Sequence, residues 1–217
     1  IAMIRLDGVK SLALHKLTVF LLYACCYALF YLYPNLYPVW EPQFLPMLAI
    51  DRATPLVPWT FLIYTSDYLL ILTVILWTSR EEFNHFARMA FMVLFFCGVF
   101  FYLMPTTYPR PEYPNVSSAI VRAAMWLVSA ADSPANCFPS QHVALTSICA
   151  WSMRRRGSVL HAFYWLWALA IFASTLTTKQ HYFCDILGGL VVAVCVTALE
   201  YFYCRKAFVL TAKVPVK

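Results

Sequence analysis

Apolar runs near spanning length recur six times along this 217-residue chain. A helix needs about 20 mostly apolar residues to cross the roughly 30 Å hydrocarbon core of a bilayer, because each residue rises only about 1.5 Å. The windows are Leu17–Tyr33, Val57–Trp77, Met89–Met104, Val143–Met153 with its flanks, Leu160–Leu176 and Ile186–Tyr203. The fourth is short and reaches spanning length only if it begins near Pro139. Backbone in lipid must satisfy its own hydrogen bonds, so such spans are helices. The expected fold class is therefore all-α, a polytopic membrane protein with six transmembrane helices in one domain over residues 1–217. Composition agrees: 62% of the residues are hydrophobic and 12% charged, against about 25% charged in soluble domains. The first window is not read as a cleaved leader, since Tyr33, Pro34 and bulky neighbours follow it where small residues would be needed.

Orientation follows from the basic residues in the short connections. With the amino terminus inside, Arg5, Lys10, Lys16, Arg80, Arg88, Arg154, Arg155, Arg156, Arg205, Lys206, Lys213 and Lys217 are cytoplasmic. Only Arg52, Arg110, Arg122 and Lys179 remain outside, a 12-to-4 split of the 16 basic residues. Both termini are expected in the cytoplasm. The net charge of +6 then reads as a topology signal and as contact with anionic membrane lipids, with no nucleic acid as partner. Two outer stretches are long. Pro34–Leu56 has the Pro, Tyr and Trp content of an interfacial segment. In Ser117–Ala131, Ile120, Trp126 and Leu127 recur at near-helical spacing, as in a helix lying on the outer surface or capping the bundle.

Three polar clusters fall on that outer side. Pro105-Thr106-Thr107-Tyr108-Pro109-Arg110-Pro111 follows the third window, Asn136-Cys137-Phe138-Pro139-Ser140-Gln141-His142 opens the fourth, and Lys179-Gln180-His181-Tyr182-Phe183-Cys184-Asp185 opens the sixth. His181 and Asp185 are four apart, so on a helix they share a face. A carboxylate on one imidazole nitrogen fixes the tautomer and leaves the other as a nucleophile. His142 follows Pro139 and Ser140 in a first helical turn, where backbone N–H groups favour an anion, and it can protonate a leaving alkoxide. Arg110 offers a bidentate fork to phosphate, and Lys179 a point charge. A metal site is one rival, because two histidines and an aspartate are zinc-type ligands; Arg110 and Lys179 suit an anion better.

The order Arg-Pro, Pro-Ser-x-His, His-x-x-x-Asp resembles the type 2 phosphatidic acid phosphatase (PAP2) superfamily. The stretches Asp132–His142 and Thr177–Gly189 are similar to the branch that includes inositol phosphorylceramide and sphingomyelin synthases. The motif-bearing core would run over about residues 51–204. The resemblance implies a six-helix core and a mechanism through a phosphohistidine that needs no metal or other cofactor. It implies His181 as nucleophile, Asp185 as its orienting partner, His142 as general acid, and Arg110 and Ser140 as holders of phosphate oxygens. Two superfamily positions depart. Leu103 stands where the first motif usually opens with Lys, and Ser174-Thr175 where the third usually has Ser-Arg. Lys179 is expected to replace one missing cation.

The expected activity is hydrolysis of a lipid or polyprenyl phosphate at the non-cytoplasmic face of a plasma or secretory-pathway membrane. Transfer of a phosphate-bearing head group to an alcohol is the alternative, and a transporter that merely binds an anion is the rival of another class. Hydrolysis is favoured because few unassigned polar residues lie near the clusters to hold an acceptor: Asn136, Gln141, Gln180 and Asp132. Asp67 lies inside the second window, where a charge is costly; it is expected to be protonated or to pair with an outer arginine, with contact to the substrate as the lesser alternative. Cys137 and Cys184 fall near the clusters, but spacing alone does not establish a bridge.

Overall fold

A computed structural model describes residues 2–131 and 133–212, with side chains described over 10–130 and 133–205. Arg5, Lys206, Lys213 and Lys217, all counted toward orientation, and Asp132, a candidate acceptor contact, lie outside the residues whose side chains are described. The first helix, α1 (Ala2–Tyr27), continues through a π-type turn at Ala28–Leu32 into α2 (Tyr33–Leu36). A short helix, α3 (Ala49–Ala53), precedes the bundle helices α4 (Phe61–Trp77) and α5 (Arg80–Leu103). Then follow α6 (Ala119–Ala131), α7 (Gln141–Ser152), α8 (Ser158–Thr177) and α9 (Phe183–Ala212). Five segments among the described residues are long and apolar enough to cross a membrane: Lys10–Leu36, Pro58–Trp77, Arg80–Leu103, Ser158–Thr177 and Phe183–Arg205.

The fourth expected span differs. Helix α7 has 12 residues, about 18 Å at the usual rise. It begins at Gln141 and so does not reach spanning length. The reason lies in its surroundings. Val143, Ala144, Ile148, Cys149 and Ala150 are fully buried, so this helix meets protein on its flanks and need not match the thickness of lipid. It still joins the same two ends of the bundle as its neighbours. At one end the Ser140 amide donates to the Asp185 carbonyl at 3.0 Å. At the other, Arg156, just beyond α7, forms an ion pair with Glu82 in the first turn of α5.

Polar ties cross the bundle where lipid offers no alternative partner. Tyr164 donates to Thr73 at 2.7 Å and Trp167 to Ser66 at 2.8 Å, joining α8 to α4. At the end away from the site, Glu200 of α9 accepts from Arg88 of α5 and lies 2.6 Å from His85 Nδ1. Helix α6 packs Val121, Ala124, Met125 and Val128 against Phe61 and Tyr64, an i, i+3, i+4, i+7 stripe. Ile120, Trp126 and Leu127 face outward, at 67%, 70% and 45% exposure. This helix is thus a packed cap with a second apolar face turned away from the protein. All eight cysteines are free thiols, Cys137 and Cys184 among them.

A two-stranded parallel ladder closes the site end. Strand β1 (Gln43–Phe44) pairs with β2 (Thr106–Thr107). Thr106 also accepts the Cys137 amide on its carbonyl at 3.1 Å and the Phe138 amide on its hydroxyl at 2.7 Å. The first and second polar clusters are thereby clipped together.

Candidate active site

Ser140 is the N-cap of α7, with extended backbone and its hydroxyl accepting from the Val143 amide at 3.4 Å. The amides of Gln141 and His142 in the following turn have no partner inside the helix, as at any helix start. Helix α9 comes unusually close here. A Cβ on Gly189 would lie 2.4 Å from the Ser140 carbonyl oxygen, and one on Gly188 2.4 Å from the Phe138 ring. The two glycines of Asp185-Ile186-Leu187-Gly188-Gly189 therefore let the second and third clusters meet.

His181 stands two residues before α9 and not on it. The chain arrives there through a Schellman turn at the end of α8. Gln180 N–H donates to the Thr175 carbonyl at 3.0 Å and Lys179 N–H to that of Leu176 at 3.2 Å. Lys179 occupies the left-handed position, φ 57°, where glycine is usual. The imidazole Nδ1 of His181 lies 3.0 Å from the Cys137 carbonyl oxygen and 3.3 Å from Asp185 Oδ2. A carbonyl only accepts, so Nδ1 carries the proton and the lone pair sits on Nε2. Asp185 is fully buried and also accepts the Tyr182 amide at 2.8 Å. Asp51 accepts the Phe183 amide at 2.7 Å. Carboxylates thus already cover the first turn of α9.

His142 has a carboxylate of its own. Its Nδ1 lies 2.7 Å from Asp67 Oδ2, and its Nε2 2.6 Å from the Tyr64 hydroxyl. Asp67 is 3% exposed. The expected pairing of Asp67 is therefore realised with a histidine of α7, not with an outer arginine. The ring centroids of His142 and His181 are 5.9 Å apart. Two imidazoles, each oriented by a buried aspartate, stand edge-on to one another, with 67° between their planes, beside the N-terminus of α7. That arrangement suits a nucleophile and a proton donor on opposite sides of a phosphoryl group.

A family model of the PAP2 superfamily matches residues 40–199. The chain belongs to the PAP2 superfamily. Among curated proteins, none matches.

The cations of this PAP2 member are distributed unevenly. Arg110 is half-buried after β2, and its charge acts on the phenol of Tyr113, whose pKa is nevertheless raised by burial. The Tyr113 hydroxyl meets the side chain of Gln180, next to His181. Lys179 is occupied elsewhere: its ammonium donates to the carbonyls of Asp51, at 2.9 Å, and Thr54. Desolvation holds its pKa below the usual lysine value. At the two positions where superfamily cations are usual, Leu103 is 71% exposed on the last turn of α5, and Thr175 is fully buried with its hydroxyl donating to the Phe172 carbonyl.

A cavity of about 460 Å³ adjoins the His142 side. Phe20, Tyr23 and Tyr27 of α1 line it, with Tyr64 and Asp67 of α4 and His142 itself. The cavity leaves no mark in the sequence; for Asp67 the sequence shows a costly charge that must pair, but not that His142 is its partner.

Proposed function

We propose that this PAP2 protein hydrolyses a lipid or polyprenyl phosphate through a phosphohistidine, at the non-cytoplasmic face of a membrane crossed six times, with both termini in the cytoplasm. The 12-to-4 split of basic residues supports that orientation. The observation that carries the chemistry is the pair of His–Asp couples, His181–Asp185 and His142–Asp67, whose imidazoles lie edge-on with 5.9 Å between ring centroids.

Phosphoryl oxygens bind the first-turn amides of α7 behind Ser140, and Arg110 neutralises their charge. Nε2 of His181 attacks phosphorus. The N–P bond forms as the bond from phosphorus to the alcohol oxygen breaks, and His142 gives its Nε2 proton to the departing alkoxide. Asp67 supports the charged form of His142, and Asp185 that of His181. Neutral His142 then takes a proton from water, whose oxygen attacks phosphorus. The N–P bond breaks, the electron pair returns to His181, and inorganic phosphate leaves. Lys179 anchors the loop at Asp51–Thr54 beneath the nucleophile.

The cavity beside His142 favours a second reading, in which an alcohol replaces water in the last step and the enzyme is a phosphotransferase. Purified protein in vesicles with a long-chain lipid phosphate distinguishes the two. Hydrolysis predicts inorganic phosphate without added alcohol, and loss of that release in His181→Ala. Product only when an alcohol acceptor is present would replace phosphatase by transferase. Undiminished turnover in His181→Ala would remove the catalytic reading altogether.

A further inference from the structure

Far from the two histidine couples, side chains of the metal-ligating type converge where α5 and α9 meet at the other end of the bundle. Glu200 and Cys204 are one turn apart on α9 and share a face. His85 reaches them from α5. Their donor atoms form a compact triangle: His85 Nδ1 lies 2.6 Å from Glu200 Oε1, and Cys204 Sγ lies 3.4 Å from Nδ1 and 3.3 Å from Oε1. The Glu200 side chain is 8% exposed.

A cation of the chain itself stands against this triangle. Arg88 Nη2 lies 2.5 Å from Oε1 and 2.8 Å from Nδ1, and its guanidinium also interacts with Cys204. A guanidinium only donates. A proton on His85 Nδ1 would set two N–H donors against each other at 2.8 Å, so Nδ1 carries the lone pair. The proton is then on Nε2, which lies 3.7 Å from Glu81 Oε1. Nδ1 and Oε1 thus present lone pairs 2.6 Å apart, a repulsive contact that only a shared positive centre relieves. With Sγ beside them, nitrogen, oxygen and sulfur donors surround one place for a cation. That donor set suits a borderline-soft divalent ion, zinc above all.

Charge and space fit the ion as well. Glu200 and an ionised Cys204 balance a divalent charge. A cavity of about 80 Å³ is lined by all three residues, room enough for the water that completes tetrahedral coordination. Arg154 and Arg155 also line it, but both are exposed, where solvent and salt screen their charge. Arg88 has somewhere to go: its side chain is 41% exposed, and its guanidinium already lies 5.5 Å from the Tyr203 ring.

We propose that His85, Glu200 and Cys204 form a zinc site, at which the metal exchanges with the Arg88 guanidinium and ties α5 to α9. As the Zn–S bond forms, the Cys204 thiol gives its proton to solvent, and no electrons change hands. The site lies at the opposite end of the bundle from His181 and does not rest on the catalytic reading above.

Cobalt reads such a site, because a thiolate bound to Co²⁺ gives an intense charge-transfer absorption in the near ultraviolet. The full chain in detergent, stripped with a chelator, is titrated with Co²⁺ and then with Zn²⁺. The expected result is one cobalt per chain with that band, lost as zinc displaces it. Cys204→Ser, a one-atom change, abolishes the band. His85→Ala weakens binding at least about 100-fold, beyond the loss of a mere supporting partner. Arg88→Gln removes the competing cation and tightens binding about tenfold, as when one charge-assisted hydrogen bond no longer has to be broken. A misfolded variant would not show that gain. Absence of the band, its persistence in Cys204→Ser, unchanged affinity in His85→Ala, or binding no tighter in Arg88→Gln overturns the site. Turnover by His181 is not the readout, so failure of the catalytic reading leaves this test intact.

Discussion

His181 and His142 each turn Nδ1 to a buried aspartate, yet the two environments fit different work. His181 Nδ1 is shared between Asp185 and the Cys137 carbonyl at 3.0 Å, which pins the proton there and keeps the tautomer fixed. Its side chain is 7% exposed. His142 lies between Asp67 at 2.7 Å and the Tyr64 hydroxyl at 2.6 Å, both able to exchange protons, and it borders the large cavity. A fixed tautomer suits attack through nitrogen; a ring between proton-exchanging partners suits delivery and removal of protons. Two couples of the same composition are thereby made unequal by a single carbonyl and a single phenol.

The largest effects come from testing that inequality with leaving groups. On an alkyl phosphate, His181→Ala and His142→Ala each cost at least about 10⁴-fold, and Asp185→Asn and Asp67→Asn about 10²–10⁴-fold. On an aryl phosphate the departing phenolate needs no proton. In a rapid-mixing measurement of the first turnover, phenol release then recovers most of its rate in His142→Ala and Asp67→Asn, and none in His181→Ala. Equal recovery in both couples would mean that they do not divide the labour as described.

A second substitution separates the halves without touching either couple. Gly189→Ala puts a methyl group 2.4 Å from the Ser140 carbonyl and 2.9 Å from Val143 Cβ. Backbone cannot yield as a side chain does, so α9 must move away from α7. The His142–Asp67 contact joins α7 to α4 and not to α9, so it survives, whereas the spacing of the two histidines changes. Turnover should fall about 10²-fold, as for misplacement by about 1 Å, with the protein still monodisperse in detergent. Full activity in Gly189→Ala would show that the close approach is not needed.

The same contrast explains what the sequence disclosed. His181 and Asp185 are four residues apart and readable as a couple, although they meet at a helix start and not along a helical face. Asp67 and His142 are 75 residues apart, and only the packing of α4 on α7 joins them, so the sequence shows that Asp67 needs a partner but points to an outer arginine instead of His142. Five of the six apolar windows were legible because lipid imposes a length on helices that touch it. Helix α7 escapes that constraint by being buried, and its window was accordingly short. Lys179 was readable as a cation near phosphate. Its left-handed backbone and its grip on the Asp51 and Thr54 carbonyls depend on a loop more than 120 residues away in sequence. The stripe that docks α6 also lay in plain view at Val121, Ala124, Met125 and Val128, beside a more conspicuous stripe of larger residues that faces outward.

The smallest effect concerns that lysine. Replacement by alanine removes the ammonium but keeps the left-handed strain; replacement by glycine removes both. Lys179→Gly should therefore be more stable than Lys179→Ala by about 1 kcal/mol, read from thermal unfolding in detergent. The reverse order would show that the backbone at this turn relaxes once the ammonium is gone.

In this scheme phosphorus becomes bonded to His181. Rapid base-quench of the enzyme during turnover of a ³²P-labelled lipid phosphate, and in parallel of a ³²P-labelled aryl phosphate, followed by peptide mapping under alkaline conditions that preserve the acid-labile phosphohistidine, reads that bond. Label is expected on His181 with both donors; with the aryl donor it accumulates in Asp67→Asn, where release is slowed more than formation, and it is absent in His181→Ala. Label on His142, or turnover with no label on any histidine and persisting in His181→Ala, would contradict it.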